Sequence, residues 1–129
     1  MDAKELEPIP LFAGLHHKER EQVARWADAV DLPAGYALLH EGRFAYEFFI
    51  VLEGDVAVTK DGHELATLGA GDFFGEIALL EEERRTATVE AKTPVRVAVM
   101  GAREFASMCA QMQVVGQRIE GAMRDRMQR

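Results

Sequence analysis

The spacing of hydrophobic residues changes twice along the chain. Over residues 17–29 they recur at three- and four-residue steps, with Val23, Trp26 and Ala27 on one stripe, which predicts a helix. Short β-rich segments separated by Gly and Asp follow, and they indicate a β-sandwich or barrel. These segments are residues 36–40, 47–53, 55–60, 63–68, 72–74, 87–91 and 95–100. Asp61-Gly62, between two of them, is typical of a tight hairpin turn.

Helical spacing returns after Gly101. Residues 103–112, and a second segment that begins at about residue 113, each place apolar residues on one face. The two stripes contain Phe105, Met108, Cys109, Met112, Val115, Ile119, Ala122, Met123 and Met127. A methionine-rich stripe usually faces a hydrophobic core; the alternative is a helix that covers a bound ligand or pairs with a twin in another subunit. Gly116 and Gly121 weaken the second helix in isolation, so we expect it to depend on a packing partner.

Length and composition favour a single soluble domain. The 129 residues, of which 48% are hydrophobic, suffice for one domain with a sizeable core. The apolar stretches are far shorter than the roughly 20 residues of a membrane span, and the charged N-terminus lacks the pattern of a secretory signal. Cys109 has no second cysteine to pair with, which agrees with a reducing compartment. We therefore expect a cytoplasmic protein that does not act at a membrane.

The charge balance bears on the choice of partners. A net charge of −7 argues against nucleic acid, because phosphate-backbone binding needs clustered Lys and Arg. The C-terminal segment is a local exception, with Arg118, Arg124, Arg126 and Arg129 interspersed with Glu120 and Asp125. Such spacing is more typical of a solvated helix face than of a contact patch.

The most specific signal lies at residues 71–89, which read GDFFGEIALLEEERRTATV. Gly75 lets the backbone approach a ligand closely, and the amides that open the following helical turn attract phosphate. Glu76, when ionised, only accepts hydrogen bonds and therefore suits a sugar hydroxyl. Arg85 offers a planar fork for two phosphate oxygens, and Thr86 adds a hydroxyl beside it. The spacing thus presents a carboxylate, backbone amides and a guanidinium to one small phosphorylated sugar.

This segment resembles the phosphate-binding cassette of cyclic-nucleotide-binding domains, as found in catabolite activator proteins and in regulatory subunits of cyclic-AMP-dependent protein kinase. FGEIAL at residues 74–79 is followed by LEEER and then by RTATV at residues 85–89, with the usual length between the two halves. The resemblance implies that Glu76 holds the ribose and Arg85 the cyclic phosphate. The ligand-binding residues that it implies are Phe74, Gly75, Glu76, Ile77, Ala78, Arg85, Thr86 and Ala87.

The resemblance extends over nearly the whole chain. PLFAGL at residues 10–15 is similar to the start of the family's N-terminal helical lead-in, and LPAGYALLHEG with FFIVLEGDVAV is similar to its early strands. It implies a mainly β fold with flanking helices: an eight-stranded jelly-roll barrel between a helical lead-in and C-terminal helices. We expect one domain over residues 1–129. Its parts are a lead-in (1–30), a β-roll (31–101) that holds the cassette (73–89), and C-terminal helices (102–129).

The sequence departs from the family pattern in three places. Arg84 stands where a proline often precedes the phosphate-binding arginine, which removes a fixed φ and adds a positive charge. A run of acids at residues 81–83 occupies the variable insert and offsets part of that charge. Arg43 and Phe44 follow a Glu-Gly pair where an acidic or small turn residue is commoner. None of these departures removes a contacting group.

The resemblance implies a regulatory module that binds cyclic AMP or cyclic GMP, needs no cofactor, and relays occupancy through its C-terminal helices to an effector protein. Phe73, Phe74, Leu79 and Leu80 are the candidates to carry this shift. Which nucleotide binds, whether two copies pair through the C-terminal helix, and whether the chain is a free-standing sensor or part of a larger protein stay open.

Two other interpretations stay beside this one. The first is an interaction or structural domain of the same fold that does not bind nucleotide; the presence of both Glu76 and Arg85 favours binding over it. The second is a cupin-type metalloenzyme, but only His40 and His63 fall in the predicted β-region, and metal sites of that kind need converging histidines. Ser107 and Cys109 lie in a predicted helix far from any histidine in the sequence, which disfavours nucleophilic catalysis. We therefore expect a protein that is not an enzyme.

Overall fold

The computed structural model describes residues 1–81 and 84–127. Two short 3-10 turns, Ala3–Leu6 and Pro10–Phe12, precede the first helix. The helices are α1 (His17–Trp26), α2 (Glu76–Leu80), α3 (Ala102–Gln111) and α4 (Gln113–Met127). The strands are β1 (Ala27–Leu32), β2 (Ala37–Leu39), β3 (Glu47–Glu53), β4 (Val56–Lys60), β5 (His63–Leu68), β6 (Phe73–Phe74), β7 (Thr88–Ala91) and β8 (Val95–Gly101).

The strands form two antiparallel sheets of four. One sheet has the order β1-β8-β3-β6 and the other β2-β7-β4-β5. Strands that follow each other in the chain therefore mostly lie in different sheets, which is the arrangement of a jelly roll. The predicted mainly β fold with flanking helices is confirmed.

Strand β3 of the first sheet is buried on both faces. Phe49 and Val51 of β3 point into the space between the sheets, whereas Phe48 and Ile50 belong to a second cluster that includes the helices. This explains why β3 reads as the continuous apolar run FFIVL rather than as an alternating strand. The helical cluster fixes the position of α3 and α4 against β3 and β8.

The methionine-rich stripes face this second cluster, as the core interpretation predicts. Met108, Met112, Val115 and Ile119 are buried. Met127, at the end of α4, is instead 56% exposed. Met127 is therefore the residue of the stripe that the core interpretation does not explain.

The predicted helix over residues 17–29 is wrong at its end. α1 ends at Trp26, and the next six residues form β1, which pairs antiparallel with β8 from Ala27↔Met100 to Leu32↔Val95. The segment ADAVDL supports a strand because its backbone groups complete the free edge of β8, and tertiary pairing overrides the helical spacing. The expected boundary at residue 30 thus falls inside β1, and the division of the chain into its parts stays a prediction.

The turn chemistry agrees with the sequence. Asp61 and Gly62 have φ of 52° and 79°, as a two-residue hairpin loop between β4 and β5 requires.

None of the helices that the structure describes combines the length and the hydropathy that a membrane span requires.

Candidate functional site

A cavity of about 590 Å³ opens between the second sheet, the cassette and the end of α4. All eight residues that the resemblance implies as ligand-binding line this cavity. Met127, in the stripe for which cover of a ligand was the alternative, also lines it. The sequence did not indicate the other lining residues, which are Leu39, Val58, Lys60, Leu65, Ala66, Leu68, Val89 and Arg126. The cassette thus forms one wall, and strands β4 and β5 with the tip of α4 form the rest.

Gly75 connects β6 to α2 and determines how closely the cassette packs. Its φ is 98°, a left-handed conformation that favours glycine. A Cβ at this position would lie 3.0 Å from Nη1 of Arg85 and 3.0 Å from the carbonyl oxygen of Glu47. The glycine therefore makes room for the arginine as well as for a ligand, a reason that the sequence did not reveal.

The short helix α2 begins directly after this glycine. Gly75 contributes no side-chain cap, so the amides of the first turn keep donors without intrahelical partners. Ile77 and Ala78, which carry two of these amides, line the cavity. Phe74, just before the turn, is buried and stacks on Phe49 with ring centroids 5.0 Å apart.

Arg85 is held in place by backbone carbonyls. Its Nη1 donates to the carbonyl of Gly75 at 2.9 Å, and its Nη2 donates to the carbonyl of Glu47 at 2.5 Å. The residue is only 6% exposed. Burial lowers the pKa of Arg85, and the nearby carboxylates of Glu47 and Glu76 oppose this shift. An arginine nevertheless stays protonated at neutral pH, so the cavity wall contains a fixed, desolvated positive charge.

Glu76 is the most deeply buried acid of the site, with 1% exposure. Its Oε1 accepts a hydrogen bond from Nη1 of Arg126 at 2.5 Å. Nη2 of Arg126 donates to the carbonyl of Phe73 at 2.6 Å, and the guanidinium lies 5.0 Å from the centre of the Phe73 ring. The tip of α4 is therefore bonded to both sides of the Gly75 turn.

The interpretation of the C-terminal arginines as a solvated face is wrong for two of them, and Arg129 lies outside the described residues. Besides Arg126, Arg118 donates from Nη1 to the carbonyls of Leu11 and Ala13 at 3.0 and 2.8 Å, which joins α4 to the N-terminal lead-in. Arg124 agrees with the prediction, because its side chain is 71% exposed and only reaches Glu120, four residues away, at 3.7 Å. The spacing of arginines on α4 does not reveal which of them meets a buried acid 50 residues earlier.

The burial of Glu76 gives Arg126 a measurable effect on stability. Replacing Arg126 by alanine leaves a buried carboxylate without its cation, and we expect the free energy of unfolding to fall by about 1–3 kcal/mol. This is less than for a fully buried pair, because the Arg126 side chain is 24% exposed. Urea denaturation measures the change. Arg124→Ala is the matched control, with an expected change under about 0.5 kcal/mol; equal effects of the two substitutions would contradict the assignment.

Two departures from the family pattern contact each other on the outer side of the cassette. The guanidinium of Arg84 lies 4.5 Å from the centre of the Phe44 ring, and its Nη1 donates to the carbonyl of Gly42 at 3.1 Å. The amide of Arg85 also donates to the carbonyl of Arg43 at 2.7 Å. Arg84 thus fastens the cassette to the loop at residues 42–44. In the acidic insert, residues 82–83 lie outside the described residues.

Within residues 1–81 and 84–127, no group of three or more His, Cys, Asp or Glu side chains could hold a metal ion. Burial raises the pKa of the Cys109 thiol, so this cysteine is a poor nucleophile.

Comparison with known proteins agrees with the geometry. The family described as "Cyclic nucleotide-binding domain" matches residues 29–112. The cAMP-dependent protein kinase regulatory subunit of Aspergillus niger is 34% identical over 117 residues, which are 89% of this chain and 28% of that protein. The regulatory domain of Toxoplasma gondii protein kinase A, in a co-crystal structure with cAMP, has a TM-score of 0.82 at 28% identity; the match covers 93% of this chain and 48% of that one.

A further solved structure with this fold comes from a kinase that is described as cAMP-independent. The regulatory subunit of a cAMP-independent protein kinase A from Trypanosoma brucei has a TM-score of 0.86 at 26% identity, and the match covers 94% of this chain and 44% of that one. This chain spans little more than a quarter of the curated relative and less than half of each of these solved chains. With more than half of its length matched, the chain belongs to the cyclic nucleotide-binding domain family.

Proposed function

We propose that the chain is a regulatory module that binds a purine cyclic monophosphate and relays occupancy through α4. The observation that carries the proposal is that Arg85 and Glu76, both almost fully buried, line one cavity. Arg85 and the amides of α2 supply donors for the cyclic phosphate. Glu76 supplies an acceptor for the ribose 2′-hydroxyl.

The rest of the cavity suits the flat faces of a purine base. Its walls away from the cassette are largely aliphatic, with Val58, Leu65 and Leu68 on one side and Met127 on the other. Leu65 and Met127 are 62% and 56% exposed, and both line this cavity. A purine between them removes both from water.

A domain of this fold that does not bind nucleotide is the weaker alternative. Burial of a charged group has a free-energy cost that a protein without a ligand could avoid by apolar substitution. The site contains two such groups, Arg85 and Glu76, within a cavity of sufficient size for a nucleotide. This arrangement favours binding.

Arg126 couples the ligand to the helix. Arg126 donates a hydrogen bond to Oε1 of Glu76. In the proposed complex the ribose hydroxyl donates to the same carboxylate. Occupancy therefore changes the free energy with which the tip of α4 is held, and the position of α4 changes the affinity to the same extent. The apolar route is the ring series Phe73, Phe48 and Phe105, with centroid distances of 5.6 and 4.7 Å, which leads from β6 to α3.

The proposed role is regulatory rather than catalytic, in the cytoplasm, with an effector protein as the receiver of the signal. Similarity to regulatory subunits of a kinase supports this role. Pairing of two copies through α4 would be an addition to it, for which Val114, 41% exposed on α4, is the apolar contact available.

Titration calorimetry tests the proposal. We expect cyclic AMP and cyclic GMP to bind with one site per chain, and linear AMP to bind at least about tenfold more weakly, because its dianionic phosphate lacks the ring geometry and adds charge that must be desolvated. Hydrogen exchange of α4 with and without cyclic nucleotide then measures the relay. The proposal would be refuted if neither cyclic compound bound, or if linear AMP bound as tightly as the cyclic compounds.

A further inference from the structure

We infer that the cavity prefers a 6-oxopurine, such as guanine, to adenine, and that Lys60 is the residue that makes this distinction. The inference rests on the proposed function, since it concerns the base of the same ligand. It begins from the polar groups that line the cavity: Lys60, Glu76, Arg85, Thr86 and Arg126.

Three of these five groups are engaged elsewhere. Arg85 is bonded to two carbonyls beside the phosphate position, and Glu76 is bonded to Arg126 beside the ribose position. The polar groups left for the edge of the base are Lys60 and Thr86. In the described part of the chain, the ion pairs of lysine and arginine involve Lys92, Arg96, Arg124 and Arg126, and none involves Lys60.

The strand register places Lys60 beside the second half of the cassette. Thr59 pairs with Thr88, the first residue of β7, so Lys60 follows at the level of the residues just before that strand. Val58 and Lys60 lie two residues apart on β4 and both line the cavity, as the alternation of a strand requires. Lys60 is the last residue of β4 and pairs with His63 across the hairpin. Lys60 therefore follows Val58 along the same wall of the cavity, at the exposed end of β4.

Two acids near the hairpin already contact other groups. Glu64 of β5, next to His63, accepts from the ammonium of Lys92 at 3.0 Å. Glu41 accepts from the backbone amide of Asp61 at 3.3 Å. Within residues 1–81 and 84–127 neither of these acids forms an ion pair with Lys60.

An ammonium only donates hydrogen bonds. Guanine presents two adjacent acceptors, O6 and N7, whereas adenine presents the N7 acceptor next to the N6 amino donor. A lysine at the base edge consequently gains two acceptors with guanine, and with adenine it meets a donor in place of one of them. The Thr86 hydroxyl both donates and accepts, so at this edge of the base it pairs with either purine; cyclic IMP, which lacks the N2 amino group of guanine, excludes a contribution from that donor.

Calorimetry with cyclic GMP, cyclic IMP and cyclic AMP tests the inference on the wild type, Lys60→Met and Lys60→Gln. We expect both 6-oxo compounds to bind the wild type roughly threefold to tenfold more tightly than cyclic AMP, as for one charge-assisted hydrogen bond at an exposed site. Lys60→Met should remove this advantage and leave the affinity for cyclic AMP within about twofold. Lys60→Gln should favour cyclic AMP, because an amide pairs with N6 and N7 of adenine.

Lys18→Met, on the exposed face of α1, is the control for loss of one lysine charge and should change none of the three affinities. Tighter binding of cyclic AMP by the wild type, or an equal loss for all three ligands in Lys60→Met, would overturn the inference and leave the proposed function standing. If none of the three nucleotides binds the wild type, both are overturned.

Discussion

Replacing Arg85 by alanine is expected to weaken cyclic-nucleotide binding by roughly 30-fold to several thousandfold. The change removes the cation from a desolvated phosphate, which costs on the order of 2–5 kcal/mol of binding. The loss is large because Arg85 is buried and its guanidinium is already oriented by the carbonyls of Gly75 and Glu47. Little side-chain entropy remains to be lost when the ligand arrives. Titration calorimetry with cyclic AMP and cyclic GMP measures the effect.

Arg84→Ala is the matched control for this substitution. It removes the same charge from the neighbouring residue, but Arg84 is exposed and lies over the Phe44 ring on the outer side of the cassette. We expect it to change the affinity by less than about fivefold, as for a screened charge at the surface. If Arg85→Ala, shown to be folded by its urea transition, binds as tightly as the wild type, the role assigned to Arg85 is wrong.

The contrast between these two arginines shows what local sequence can reveal. Residues that contact the same ligand from one continuous segment keep a fixed spacing, so the cassette could be predicted and all eight of its proposed ligand residues line one cavity. The strands from β2 to β8 were predictable for a similar reason, because turn residues and alternation are local.

Contacts between distant segments left no such trace. Arg126 is one of several arginines on α4, and only the packed structure distinguishes it, by placing Glu76 within hydrogen-bond distance. β1 was missed because its free-energy gain comes from the edge of β8, almost 70 residues later in the chain. Both errors concern groups whose partner is remote in the sequence. The same is true of Lys60, which the register of β4 with β7 brings to the cassette.

The apolar route of the proposed relay involves a second kind of remote contact, the packing of Phe48. Its ring is fully buried between Phe73 of β6 and Phe105 of α3. Its Cα lies 3.6 Å from where a Cβ on Gly75 would stand, so the same residue supports the turn that carries the ligand groups. If the cassette shifts on binding, the Phe48 ring is therefore the contact that passes the movement from β6 to α3.

Replacing Phe48 by alanine is expected to lower the free energy of unfolding by about 3–5 kcal/mol, since it removes a buried aromatic side chain and leaves a cavity. Urea denaturation measures this as a lower midpoint at an unchanged slope. Tyr46→Ala, two residues earlier and 69% exposed, is the control and should change stability by less than about 0.5 kcal/mol.

Phe48→Leu keeps most of the volume and should cost about 1–2 kcal/mol, so that a folded variant remains if the alanine protein does not fold. In Phe48→Leu we expect cyclic nucleotide to bind while the hydrogen-exchange response of α3 is reduced; an unchanged response would show that the signal reaches the helices through Arg126 alone.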